Sequence, residues 1–121
     1  MYMIHAYVEP HENTNPEMIK NIKKMYIDAA NQNNVLVIPV GIAFENAYDL
    51  NPDIVLHKEY DGSHPSLLGT YLAACVVFSS ITHKSPLKIQ YDYFGKITQE
   101  DKKFLQEVAK NTVENFYRIK L

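Results

Sequence analysis

Val35-Leu36-Val37-Ile38-Pro39-Val40 is the stretch on which the fold turns. It is a continuous apolar run rich in β-branched residues, and such runs suit a parallel strand covered on both faces. Working outward, Met1–Val8 combines β-branched and aromatic residues and reads as an earlier strand. Ile54-Val55-Leu56-His57 is a third strand candidate. Helical patterns fill the gaps. Asn15-Pro16-Glu17 is a helix start, with Asn as cap and Pro at the first helical position. Ile19, Ile22, Tyr26, Ala29 and Ala30 then fall on one face. Ile42–Leu50 predicts a short helix after a turn at Gly41. Ser66–Thr82 predicts a helix apolar most of the way round, hence buried on several sides. Thr98 caps a last helix, with Asp101 as its capping-box acid. The order βαβαβα-α predicts an α/β fold, a three-layer α/β/α arrangement with a parallel sheet.

Composition bounds the function. At 121 residues the chain is one domain or part of one. Apolar residues at 46% and charged residues at 21% exclude disorder. Twelve Lys+Arg against fourteen Asp+Glu give a formal net charge of −2, with no clustered basic face, which argues against nucleic acid. The longest apolar run, Tyr71–Phe78, is far too short to cross a bilayer, so no membrane partner is expected. The single cysteine, Cys75, excludes an intrachain disulfide and a multi-cysteine metal cage. Lying in an apolar stretch, it reads as a buried thiol. Met1–His5 is not a signal peptide, having neither a positive leader nor a long apolar run. The chain opens inside an expected strand, which suggests a longer parent whose preceding segment is missing here. The compartment of that parent, secreted or periplasmic included, is left open.

Asp61-Gly62-Ser63-His64-Pro65 is the segment with chemical content. An Asp three residues before a His can hold the imidazole by its Nδ1–H and leave Nε2 as a general base. The loop follows an expected strand and precedes a buried helix, where α/β sheets carry their reacting groups. The plainer alternative is a turn at Asp61-Gly62 leading into a helix capped by Ser66.

The surroundings favour the chemical reading. Val37-Ile-Pro-Val-Gly-Ile-Ala-Phe44, Asn51-Pro-Asp53, Asp61-Gly-Ser-His-Pro-Ser66 and Gly69-Thr-Tyr-Leu-Ala-Ala-Cys75 together resemble the C-terminal part of SGNH hydrolases, the GDSL-type esterases and acylhydrolases. Leu105-Gln-Glu-Val-Ala109 is similar to the closing helix of one such subgroup. The resemblance covers Val35 to Phe116. It implies the C-terminal portion of a flavodoxin-like fold, with residues 1–121 forming a single partial domain. It also implies a Ser-His-Asp mechanism in which Asp61 is the orienting acid and His64 the general base. The family's Gly-Asp-Ser nucleophile block and Gly-x-Asn-Asp block are not present. The serines here are Ser63, Ser66, Ser79, Ser80 and Ser85. Ser63 adjoins His64, and adjacent side chains on a tight loop seldom meet in attack geometry. Ser79 and Ser80 fall mid-helix, where hydroxyls usually bond backbone carbonyls.

The expected function is therefore the base-supplying part of a serine esterase whose parent acts on a small-molecule or carbohydrate ester. The chain alone is expected to be inactive. The alternative is a non-catalytic α/β module that keeps the fold without a nucleophile. His5, Glu9, His11, His57, Asp61 and His64 are metal-ligand types, but no pair has the H-E-x-x-H spacing, so neither metal nor cofactor is expected. Tyr91, Tyr93 and Phe94 suit either a sugar-stacking rim or packing of the last helix. An incomplete sheet would leave Met1–Val8 and Val35–Val40 as exposed edges through which the chain self-associates.

Overall fold

The computed structural model describes Tyr2–Met3 and residues 17–121. The elements are β1 (Tyr2–Met3), α1 (Met18–Asn33), β2 (Val37–Ile38), α2 (Val40–Leu50), α3 (Leu67–Thr82) and α4 (Gln99–Tyr117), with a 3-10 turn at Pro86–Lys88. The described residues are 62% helix and 4% strand, which corrects the expected three-layer α/β/α fold with its parallel sheet. Among the described residues strand pairing amounts to a two-residue parallel ladder, Tyr2 with Val37 and Met3 with Ile38. Most of the strand expected over Met1–Val8, and the helix start at Asn15-Pro16, lie outside the described residues.

The physical reason for the correction is visible in the two remaining runs. Among the described residues Val35-Leu36 makes no ladder, and the chain turns helical at Val40, directly after Pro39. An apolar run is compatible with a buried helix start as well as with a strand, and periodicity alone does not separate them. Ile54–His57 is extended, but its carbonyls serve the following loop. Leu56 O accepts from Ser66 N at 2.8 Å and Val55 O from the Ser66 hydroxyl at 2.7 Å. Its only bridge among the described residues is His57 to Pro65. Without a neighbouring strand among the described residues to satisfy backbone groups, the segment is not sheet.

The helices follow their sequence signals more closely. Ser66 caps α3 by accepting from Gly69 N at 3.1 Å. Thr98 caps α4, accepting from Asp101 N at 3.1 Å and donating to Asp101 Oδ2 at 2.7 Å. Helices α3 and α4 make the broadest contact, and α2 lies against both. Phe44, Leu56, Leu72, Val76, Leu105 and Val113 are fully buried at their junction. Two long-range bonds clamp this layer. Asn46 Nδ2 donates to Thr112 Oγ1 at 2.9 Å, joining α2 to α4. The Tyr117 hydroxyl donates to Val37 O at 2.5 Å, joining the end of α4 to β2.

Candidate active site

The loop between Leu56 and Ser66 is closed rung by rung. Ser66 N donates to Leu56 O and Lys58 N to His64 O, both at 2.8 Å. Gly62 N donates to Lys58 O at 2.8 Å, and Gly62 takes a left-handed φ of +59°. That is a conformation a side chain disfavours and Gly adopts freely. The loop is then pressed onto α3 at Gly69. A Cβ there would collide with the Leu56 carbonyl oxygen and meet the Phe44 ring at 3.0 Å. Glycine at 69 is therefore what lets the helix approach the chain that carries the loop.

At the loop's tip Asp61 Oδ2 lies 2.5 Å from His64 Nδ1. The other oxygen, Oδ1, accepts from Ser63 N at 2.9 Å and His64 N at 3.0 Å. The Ser63 N–H, then the N–H and ring of His64, hold the Asp61 carboxyl down at about 2. An ionised Asp61 favours the His64 tautomer with its proton on Nδ1, which leaves Nε2 unprotonated. The His64 side chain is 71% exposed, so the ring is open to solvent.

No serine of the chain is placed as its nucleophile. The Ser66 hydroxyl is committed to Val55 O and Gly69 N. Ser79 and Ser80 are buried, and neither hydroxyl bonds a backbone carbonyl among the described residues, which corrects the expectation that they do; Ser80 instead lies against the Tyr117 side chain. Ser79 is also roughly 20 Å along α3 from Ser66, at 1.5 Å per residue. Ser85 caps the 3-10 turn. Ser63 is exposed and adjoins His64 in sequence, and its amide is committed to Asp61. Cys75 is 1% exposed, and burial pushes its thiol up to about 11, so it stays protonated at neutral pH.

Sequence reasoning placed His57 at a strand end and among possible metal ligands. In the structure it is fully buried, with Nδ1 2.6 Å from the Tyr48 hydroxyl. Among the described residues no group of three His, Cys, Asp or Glu converges as a metal site. A tyrosine at a helix end meeting a histidine nine residues on leaves no periodic trace, so nothing in the sequence announced this pair.

What the fold and loop define is a helical layer that presents an Asp–His pair at the N-terminal end of α3. No family model matches the chain, and no curated protein matches it. Among solved structures it is similar to a DUF4886 family protein from Bacteroides uniformis ATCC 8492, with a TM-score of 0.77 and 27% identity. The match covers 98% of this chain and 49% of that one, so the chain spans about half the length of that structure. Among the described residues no helix is long and apolar enough to cross a membrane.

Proposed function

We propose that this chain supplies the acid–base half of a serine-type ester hydrolase. Asp61 orients His64, and His64 Nε2 takes the proton of a hydroxyl nucleophile and returns it to the leaving group. The observation that carries the reading is the Asp61 Oδ2–His64 Nδ1 approach of 2.5 Å, with Asp61 held ionised by two backbone N–H groups. The resemblance to GDSL-type acylhydrolases at Asp61-Gly-Ser-His-Pro65 supports it. The nucleophile and oxyanion donors then come from a segment outside these 121 residues. An acyl ester, of a carbohydrate or another small molecule, is the substrate class.

The test has two arms. Imidazole 15N shifts should show the Nδ1–H tautomer of His64 at neutral pH, and Asp61→Asn should redistribute it. Separately, the chain alone should not hydrolyse short-chain aryl esters above background. The chain fused to, or mixed with, a segment carrying a Gly-Asp-Ser block should do so. In that form His64→Ala should abolish turnover, and Asp61→Asn should lower it by about 100-fold or more through loss of the tautomer. Turnover that survives His64→Ala would sink the proposal.

One observation favours a second reading. Asp61 Oδ1 receives the Ser63 and His64 amides, the pattern of an Asx turn, which would fold this loop with no chemistry at all. On that reading the chain is a non-catalytic module, and the fused form stays inactive whatever stands at 64.

A further inference from the structure

Two hollows share a wall along α3. One, of about 560 Å³, has a floor of Phe78, Leu87 and Ile89 and includes Lys84, Lys88 and Lys110 in its lining. The other, of about 340 Å³, is lined by Leu67, Ala74, Cys75 and Tyr91 beside Tyr71. Phe78 and Ile89 line both, so the two adjoin as one trough. From Leu67 to Phe78 it follows α3 for roughly 16 Å, at 1.5 Å per residue.

The ends of this trough differ in chemistry. In the inner part the polar groups nearest α4 are bonded among themselves. Gln106 Nε2 donates to the Tyr71 oxygen and to Ile89 O, both at 2.9 Å, and the Tyr71 hydroxyl donates to Tyr91 O at 3.0 Å. Burial keeps the Tyr71 and Cys75 side chains neutral, at about 12 and about 11. What faces the hollow is mostly apolar, with Thr70, Tyr91 and Tyr93 adding hydroxyls to its lining, and its walls are tied together across α3, α4 and the 89–91 segment. At the outer end Lys110 is paired with Glu114 at 2.9 Å. Lys84 and Lys88 are exposed, and among the described residues neither is in an ion pair with any carboxylate, the chain terminus included.

We propose that this trough binds a free aliphatic carboxylate, a single hydrocarbon tail with one anionic head. The carboxylate sits between Lys84 and Lys88, and the tail runs over Phe78 and Ile89 toward Tyr71 and Leu67. The Lys84 and Lys88 ammonium groups, without an ion pair among the described residues, select the charge, and a mostly apolar lining selects the tail. The site does not involve the Asp61–His64 pair and stands whether or not that pair is catalytic.

The experiment is a calorimetric titration of the 121-residue chain with decanoate kept below its micelle concentration, followed in parallel by amide shifts at Ala74 and Cys75. Saturable one-to-one binding is expected, with decanol of equal tail length binding about tenfold more weakly. Lys84→Ser with Lys88→Ser, both exposed and safe for folding, should weaken decanoate about tenfold while leaving decanol unchanged. Ala74→Trp, at an exposed position in the lining, should block both. Absence of saturation, or decanoate affinity indifferent to the lysine pair, would overturn the proposal. So would capture of the chain by anionic vesicles that is indifferent to Ala74→Trp, since that would make the lysines a membrane-facing patch.

Discussion

His57 and His64 stand seven residues apart in one loop, and each has its Nδ1 taken, yet they do opposite things. His57 is fully buried between Phe44, at a ring-centre distance of 5.2 Å, and Tyr48, whose hydroxyl meets its Nδ1 at 2.6 Å. His64 is open to solvent and meets a carboxylate instead. A fully buried imidazole packed against the Phe44 and Tyr48 rings is closed to solvent and to anything that approaches from it. An exposed imidazole with an ionised partner keeps a free nitrogen and can exchange a proton with whatever approaches. Partner and burial, rather than residue type, separate the framework histidine from the candidate base.

The comparison breaks most clearly under truncation. His57→Ala should cost about 3 kcal/mol in urea unfolding, through a core cavity and the loss of the Tyr48–Nδ1 bond. His64→Ala should stay within about 0.5 kcal/mol, as for an exposed surface residue. Equal losses would mean the two are not functionally distinct. Gly69→Ala should lower stability by about 2 kcal/mol, since the new methyl forces α3 away from Leu56, and it should loosen His64 in 15N relaxation. Ser66→Ala removes the α3 cap and its grip on Val55 O, for a loss of about 1 kcal/mol on the same denaturation curve. The smallest effect is on pH. The Asp61 carboxyl lies near 2, below its ordinary 3.8. Its contribution is therefore full above about pH 3.8 and is lost as pH falls toward 2. A His64 Nδ1 signal that keeps its bonded shift below pH 2 would contradict this.

The sequence disclosed the Asp61–His64 contact better than the fold around it. Asp61 and His64 lie three residues apart on a turn, and a contact that local is written in the spacing. Ser66 and Thr98 were legible as caps for the same reason. The sheet was not, because Val35–Val40 and Ile54–His57 are apolar and β-branched in the way buried strands are. Whether such a run becomes sheet depends on a hydrogen-bonding neighbour distant in sequence, and Val40 enters a helix instead. The Tyr48–His57 pair was hidden for that reason too, since it depends on how α2 docks.

The bonds that shape the Asp61–His64 loop span eleven residues at most, as from Ser66 to Val55, whereas Tyr117 and Val37 are 80 apart. Closing a loop of about ten residues takes on the order of 10–100 ns, and its entropic cost grows only slowly with length. The geometry around His64 thus belongs to an early and cheap step in folding. It does not wait for α4 to bolt onto β2, and grafting residues 55–69 onto a foreign helix would carry the pair along with its own closure.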